Sequence, residues 1–267
     1  MRAEPHRTGV KEVLAGLGSH QPASGASLLI YHRVGGGTTN ELDVEPAAFA
    51  RQLRMLAEHD VVPLDTALDR LDAGDASPSF VLTFDDGFED VYENAWPLLR
   101  RTAMPFTLYL TTAYPGRDMV WEGATATGPA GRGIAWDHLR EMVDSGLCTV
   151  GNHTHTHVGP RDLTVEELDR CTSEILDRVG VRVAHHAYCW GIPVPELMRA
   201  LRDRFRSAAT GSVGRNLPDA DRHLLTRIPV RRTDGDAFYA AKLTGRLLPE
   251  KVYAGLVRTA KSLGVRA

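Results

Sequence analysis

Two stretches of the chain carry residue types suited to hydrolytic chemistry: "TFDDG" at residues 83–87 and "GNHTHTH" at residues 151–157. The second places His153, His155 and His157 at alternate positions, and imidazoles so close together favour a divalent metal of borderline softness, as zinc is. In a helical turn or a tight loop, positions i and i+4 share a side while i+2 points away. His153 and His157 therefore converge and His155 diverges. Two histidines and one carboxylate make three protein ligands, leaving the open position that separates a catalytic metal site from a closed structural one. Adjacent aspartates at a strand end can point in different directions, so in "DDG" one can hold a metal while the other moves a proton. Taken alone, that pair also reads as a solvated turn in which Gly87 provides backbone freedom.

Such residues need a frame that brings distant stretches together. "SLLIY" at 27–31 is a short apolar run of buried-strand character, followed by the breaker "GGG". Phe49, Leu53, Leu56 and Ala57 recur at helical spacing after Pro46, "VVPL" reads as a strand, and a helix is predicted from Asp65 to Leu71. "SFVLTF" at 79–84 is the clearest strand and runs straight into "DDG". A helix over 88–101 and the strand "PFTLYLTT" follow. Residues 115–134 hold five glycines and little periodicity, which predicts a long surface loop able to cover a site. "WDHLREMVDSG" is a helix stopped by Gly146, and "LCTVGN" is the strand that delivers the histidines. Thr164 and Glu167 fit a capping box at the start of the next helix. "VRVAHHAYCW" reads as a strand, 194–205 as a helix, "SAAT" and "LLTRIPV" as strands, and two helices close the chain at 236–247 and 249–264. His185 and His186, inside a predicted strand, are expected to be structural.

Strand and helix alternate six or seven times without a composition shift, which favours one α/β domain over 27–267, as a barrel or an open doubly wound sheet. No Gly-rich phosphate fingerprint follows any strand, and this counts against a nucleotide-binding sheet. In a parallel barrel the carboxyl ends of the strands meet on one face, so His32, Asp85, Asp86, the histidines, and Tyr188 to Trp190 become neighbours. Residues 1–26, polar and rich in Gly, Ser and Pro, are expected to form a loosely held, flexible arm with at most a short helix near "VKEVLAGL".

With 31 Lys plus Arg against 34 Asp plus Glu, the net charge of −3 gives no basic stripe for nucleic acid. The three cysteines, Cys148, Cys171 and Cys189, are widely spaced and read as small buried hydrophobes rather than a disulfide framework. No 18-residue apolar run or signal-like segment occurs, so the expectation is a cytoplasmic protein that does not enter a membrane.

"TFDDG" and "HTHTH" in this order resemble the first and second motifs of the polysaccharide deacetylases, the NodB-like metal-dependent carbohydrate esterases. "LLIYHRV", "VEPAAFARQLRMLAEHDVVPL", "HAYCWG" and "LLTRIPV" extend the resemblance, over roughly residues 27–232, to the branch that modifies exopolysaccharides. The resemblance implies a distorted (β/α)7 barrel. By position it implies Asp86, His153 and His157 as ligands of one divalent ion, with zinc ahead of cobalt, nickel or manganese, and Asp85 as catalytic base. The family's third motif often carries an arginine and a proline, whereas Cys189 stands at the proline position here. Arg227 is the substitute, by analogy, for the arginine that orients Asp85. The late family motif offering a histidine as general acid has no matching segment after residue 191; His223 lacks its neighbours.

The activity implied is hydrolysis of an N-acyl group, an acetyl first of all, from an amino-sugar-containing substrate. The missing signal segment favours a soluble glycoside, sugar nucleotide or other acylated metabolite over an exported polymer. Asp85 takes a proton from the attacking water. A backbone N–H near Tyr188 to Trp190 is expected to face the oxyanion, and Asp85 or His32 to return a proton to the amine. The Trp190 indole is placed to stack on a sugar ring, and Trp121 is a second candidate. Two alternatives stand beside this reading: a deformylase or amidase acting on a non-sugar metabolite, and a non-catalytic carbohydrate-binding protein on the same scaffold.

Overall fold

Short, fully buried strands alternating with amphipathic helices are what a parallel sheet covered by helices requires, and the chain folds accordingly. A computed structural model describes residues 3–16, 23–121 and 131–262. Helix α1 (Ala3–Ala15) leads into β1 (Ala26–Tyr31). Strands β2 (Arg33–Val34) and β3 (Asp43–Val44) form a small separate sheet before α2 (Pro46–Leu56) and α3 (Leu64–Asp72). Then come β4 (Ser79–Phe84), α4 (Trp96–Thr102), β5 (Phe106–Leu110), α5 (Trp136–Asp144), β6 (Cys148–Asn152), α6 (Val165–Val179) and β7 (His185–Ala187). Helix α7 (Met198–Arg204), β8 (Ser207–Val213), β9 (Leu225–Pro229), α8 (Asp236–Leu243) and α9 (Leu248–Ser262) complete the order.

Seven parallel strands close into a barrel in the order β1-β4-β5-β6-β7-β8-β9, with β9 returning to β1. This is the NodB-like (β/α)7 barrel. Outward-facing Tyr31 and Phe84 stack at 5.4 Å, and Phe49 of α2 meets the Tyr31 ring edge-on at 5.3 Å. Phe106 meets Phe84 edge-on at 5.7 Å, so one aromatic layer welds α2 to β1, β4 and β5. Helix α6 buries Leu168, Cys171 and Ile175, a stripe with spacings of three and four, and ends at Gly180 with φ 80°.

Several sequence expectations are corrected. "VVPL" contributes a single bridge, Val61 to Phe80, because Pro63 leads directly into α3. The helix expected over 88–101 widens into a π-helical turn at Val91–Ala95 before α4, with Pro97 in the first turn of α4. Of "VRVAHHAYCW" only His185–Ala187 is strand, and the helix expected over 194–205 is a short 3₁₀ turn, Pro195–Leu197, followed by α7. The loosely held arm is, over residues 3–15, a helix packed against α8 and α9. Lys11 explains its docking: the buried ammonium donates to Asp234 at 2.8 Å and to Thr233 at 2.6 Å and lies 4.4 Å from the Tyr253 ring centroid. Of the loop over 115–134, residues 122–130 lie outside the described residues; its two ends pair with each other, Met119 donating to the Gly131 carbonyl at 2.7 Å. No described helix is long and apolar enough to cross a membrane.

Candidate active site

Asp85 and Asp86 follow β4 directly, and their backbone is pinned before the side chains diverge. The Asp85 N–H donates to the Tyr31 carbonyl at 3.0 Å, while Asp86 takes a left-handed conformation at φ 73°. A non-glycine residue there is strained by about 1–3 kcal/mol, a cost usually met where geometry serves a site. Gly87 follows at φ 88°, and a Cβ on it would come within 2.5 Å of Leu110 Cδ1, so only glycine fits this turn.

The chain after β5 sits between the aspartates and the histidine loop and bonds to both. Thr111 donates to the Asp86 carbonyl at 3.2 Å, Thr112 to that of Thr154 at 3.4 Å and Ala113 to that of His155 at 2.8 Å. Thr154 (φ 65°) and His157 (φ 56°) are also left-handed, which turns the loop sharply enough to bring its first and last histidines together. Asn152 Oδ1 accepts the Thr154 N–H at 2.9 Å, and Thr154 Oγ1 accepts that of His157 at 3.0 Å. Glu167 does only half of what a capping box asks. Its N–H donates to Thr164 Oγ1 at 3.3 Å, but its carboxylate accepts the N–H groups of His155 and Thr156 at 3.0 and 2.8 Å. That residue braces the histidine loop, a role the helix-cap pattern did not reveal.

Asp86 Oδ1 lies 3.4 Å from His153 Nε2 and 3.3 Å from His157 Nε2. His153 Nδ1 is 2.8 Å from the Ala187 carbonyl, a contact that keeps the proton on Nδ1 and leaves Nε2 as a donor of electrons. His155 turns away, its Nδ1 2.9 Å from Thr112 Oγ1. Burial alone would raise the Asp86 carboxyl, but the neighbouring His153 and His157 hold it well below the usual carboxylate range. Burial would likewise lower His157, yet Asp86 and then Cys189 lift it to about 9. Buried imidazoles held against two anionic carboxylates form a locus that demands positive charge. Asp86, His153 and His157 are chemically fitted to meet that demand with a divalent cation.

Asp85 belongs to a different set. Its two oxygens accept from Arg227 Nη1 and Nη2 at 2.6 and 2.8 Å, and Arg227 Nε donates to the Thr210 carbonyl at 2.8 Å. Burial raises the Asp85 carboxyl; Arg227, His153 and His32 more than offset that and leave its pKa below the ordinary value. Asp85 Oδ2 remains 4.0 Å from His153 Nε2. His32 is close enough to both carboxylates for each to raise its pKa, but burial is the larger cause and the net shift is downward.

Trp190 and Trp121 flank His157, with ring centroids 5.7 and 4.4 Å from it, and Trp190 is 46% exposed, so an indole face is open to a ligand. Tyr188 does not join them. Its hydroxyl donates to the His223 carbonyl at 3.1 Å and its N–H to the Ala209 carbonyl at 3.0 Å, so neither is offered to an oxyanion. His223 itself is structural, with Nε2 2.8 Å from the Phe205 carbonyl. His185 and His186 are structural as expected, on Ser207 Oγ at 2.9 Å and Asn152 Oδ1 at 3.2 Å. Cys189 is the residue that the sequence reading passed over. One ring nitrogen of His153, one of His157 and the Cys189 sulfur all lie within 4.8 Å of one another, a group able to hold a metal.

The polysaccharide deacetylase family model matches residues 73–201, a span containing both aspartates, all three loop histidines and Cys189. Over that span, just under half of its length, the chain is similar to the polysaccharide deacetylases. Among solved structures, IcaB from Ammonifex degensii is 26% identical with a TM-score of 0.71, covering 86% of this chain and 100% of that one. The polysaccharide deacetylase BC0361 from Bacillus cereus is 22% identical with a TM-score of 0.67, over 82% of this chain and 68% of that one. PplD, a Streptococcus pyogenes deacetylase solved with acetate, is 18% identical with a TM-score of 0.67, over 85% and 98% of the two chains. The last two speak for the fold alone. The Bacillus subtilis (strain 168) protein YxkH, whose name places it with the polysaccharide deacetylases, is 24% identical over 146 residues. That match spans 52% of this chain and 46% of the relative, under half of the relative's length.

Proposed function

We propose that this chain hydrolyses an N-acetyl group from an amino-sugar-containing glycan, releasing the free amine and acetate. The observation that carries the reading is the division between two adjacent aspartates. Asp86 faces His153 and His157, while Asp85, the next residue back, is held apart by Arg227. A divalent ion, zinc first, held by Asp86, His153 and His157 would supply Lewis acidity toward the amide carbonyl and acidify water. The chain's own residues do the rest. Asp85, kept ionised and oriented by the two-pronged guanidinium contact, takes the proton of the attacking water and returns it to the departing amine. Burial lowers the His32 pKa, which supports Asp85 over His32 as the source of that proton. Trp190 and Trp121 offer apolar faces to the sugar ring beside His157.

The presence of an arginine on Asp85 weighs against a non-catalytic carbohydrate-binding protein, because that alternative drew its force from the lack of both an orienting arginine and a general-acid histidine, and the first is present. The test is release of acetate and free amine from N-acetylglucosamine oligomers, measured with and without a chelator and after zinc is restored. Zinc-dependent release is expected. Metal-loaded protein that frees no acetate from oligomers of any length would defeat the reading.

A further inference from the structure

Cys189 occupies the place where the family that the chain resembles often has a proline, whose side chain has no atom able to bind a metal, so its sulfur adds a donor that such a segment lacks. It is buried and rigidly held. Tyr188 before it is anchored to Ala209, Trp190 after it is left-handed at φ 62°, and the Gly191 N–H donates to the Tyr188 carbonyl at 2.9 Å. The sulfur lies 3.4 Å from the His153 carbonyl and 3.4 Å from Thr154 Oγ1, against the turn that carries both converging histidines. Cys171, equally buried, points instead to the Leu110 carbonyl at 3.4 Å.

We infer that Cys189 is a fourth protein ligand of the metal held by Asp86, His153 and His157, giving a five-coordinate site of one carboxylate, two imidazoles and one thiolate that keeps one position for water. The inference rests on the metal assignment made under the proposed function. Zinc–sulfur and zinc–nitrogen bonds of about 2.3 and 2.0–2.1 Å put two neighbouring ligand atoms on one zinc up to about 3.5 Å apart. The sulfur and the two ring nitrogens, within 4.8 Å of one another, need close by only about an ångström to reach that spacing. On ligation the thiol proton leaves to solvent, a sulfur lone pair forms the bond to the metal, and no oxidant or reductant is involved. A thiolate softens the donor set and favours zinc or cobalt over manganese.

The experiment loads the full chain with cobalt(II) and records its near-ultraviolet absorption beside the measured cobalt content. The expected result is a thiolate-to-cobalt charge-transfer band in the wild-type protein, lost in Cys189→Ser although cobalt is still bound. Zinc affinity of that variant, read by competition with a chromophoric chelator, falls by at least the about tenfold that loss of even an outer-shell partner costs. Zinc-edge X-ray absorption of the wild-type protein needs no variant to fold, and one sulfur at about 2.3 Å is expected. Bound metal with no charge-transfer band and only nitrogen and oxygen neighbours overturns the role of Cys189 and leaves the Asp86–His153–His157 site standing. Failure to bind cobalt or zinc at all overturns both.

Discussion

Arg227 grips Asp85 with both ends of its guanidinium, Nη1 to Oδ1 at 2.6 Å and Nη2 to Oδ2 at 2.8 Å, although 142 residues separate them in sequence. Both side chains are buried, so each charge depends on the other for what water would otherwise supply. Arg227→Met should therefore lower stability at neutral pH by about 3–5 kcal/mol, the usual cost of stranding one member of a buried pair. Adding Asp85→Asn removes the stranded charge and should recover much of that loss. Denaturant unfolding of the two single variants and the double variant measures it; strictly additive effects would show that the pair is not coupled.

The same pair decides the chemistry assigned to Asp85. Asp85→Asn is isosteric and leaves Asp86, His153 and His157 untouched. It should retain metal while acetate release falls by at least about 100-fold, the lower range for loss of a general acid–base. Turnover within a few-fold of wild type, with full metal content, would remove Asp85 from the role of base.

The three loop histidines should separate cleanly. His153→Ala and His157→Ala each remove a nitrogen next to Asp86 and should lose bound metal, whereas His155→Ala gives up only a contact with Thr112 and should keep it. Metal content after dialysis is the measurement. Equal loss in all three would mean that the i and i+4 pairing is not what holds the ion.

His186 sets one limit of acid stability. It is buried against Phe205 and Asn152, and burial pushes its pKa from the ordinary 6.5 down to about 3. Between those values the unfolded chain carries a proton here that the folded one does not, so stability is fully present above pH 6.5 and falls as pH drops toward 3. One such proton contributes a slope of about 1.4 kcal/mol per pH unit. In His186→Gln, which can still donate to Asn152, unfolding free energies measured from pH 7 to pH 4 should decline less steeply by that amount. An unchanged slope would show that His186 is not the group being protonated.

The order of buried strands and amphipathic helices, the run of "SFVLTF" into "DDG", and the i, i+4 pairing of His153 and His157 were legible in the chain itself. Apolar spacing encodes burial, and four residues around a tight turn fix which side chains share a side. Local pattern cannot say which strand ends meet across a barrel. Closure through β9 brought Arg227 to Asp85, and the chain after β5 tied Asp86 to the histidine loop. Tyr188 follows a strand end as the site residues do, yet its hydroxyl and N–H are spent on His223 and Ala209, and Cys189, beside it, faces the histidines instead. The N-terminal segment looked loose because its composition is polar, but Lys11 finds its carboxylate partners only once Asp234 and Glu41 are folded around it. Residue type and spacing by themselves determined the chemistry on offer; the partner of each charged group was decided by tertiary structure, because a buried ion is stable only where distant chain segments complete its pairing.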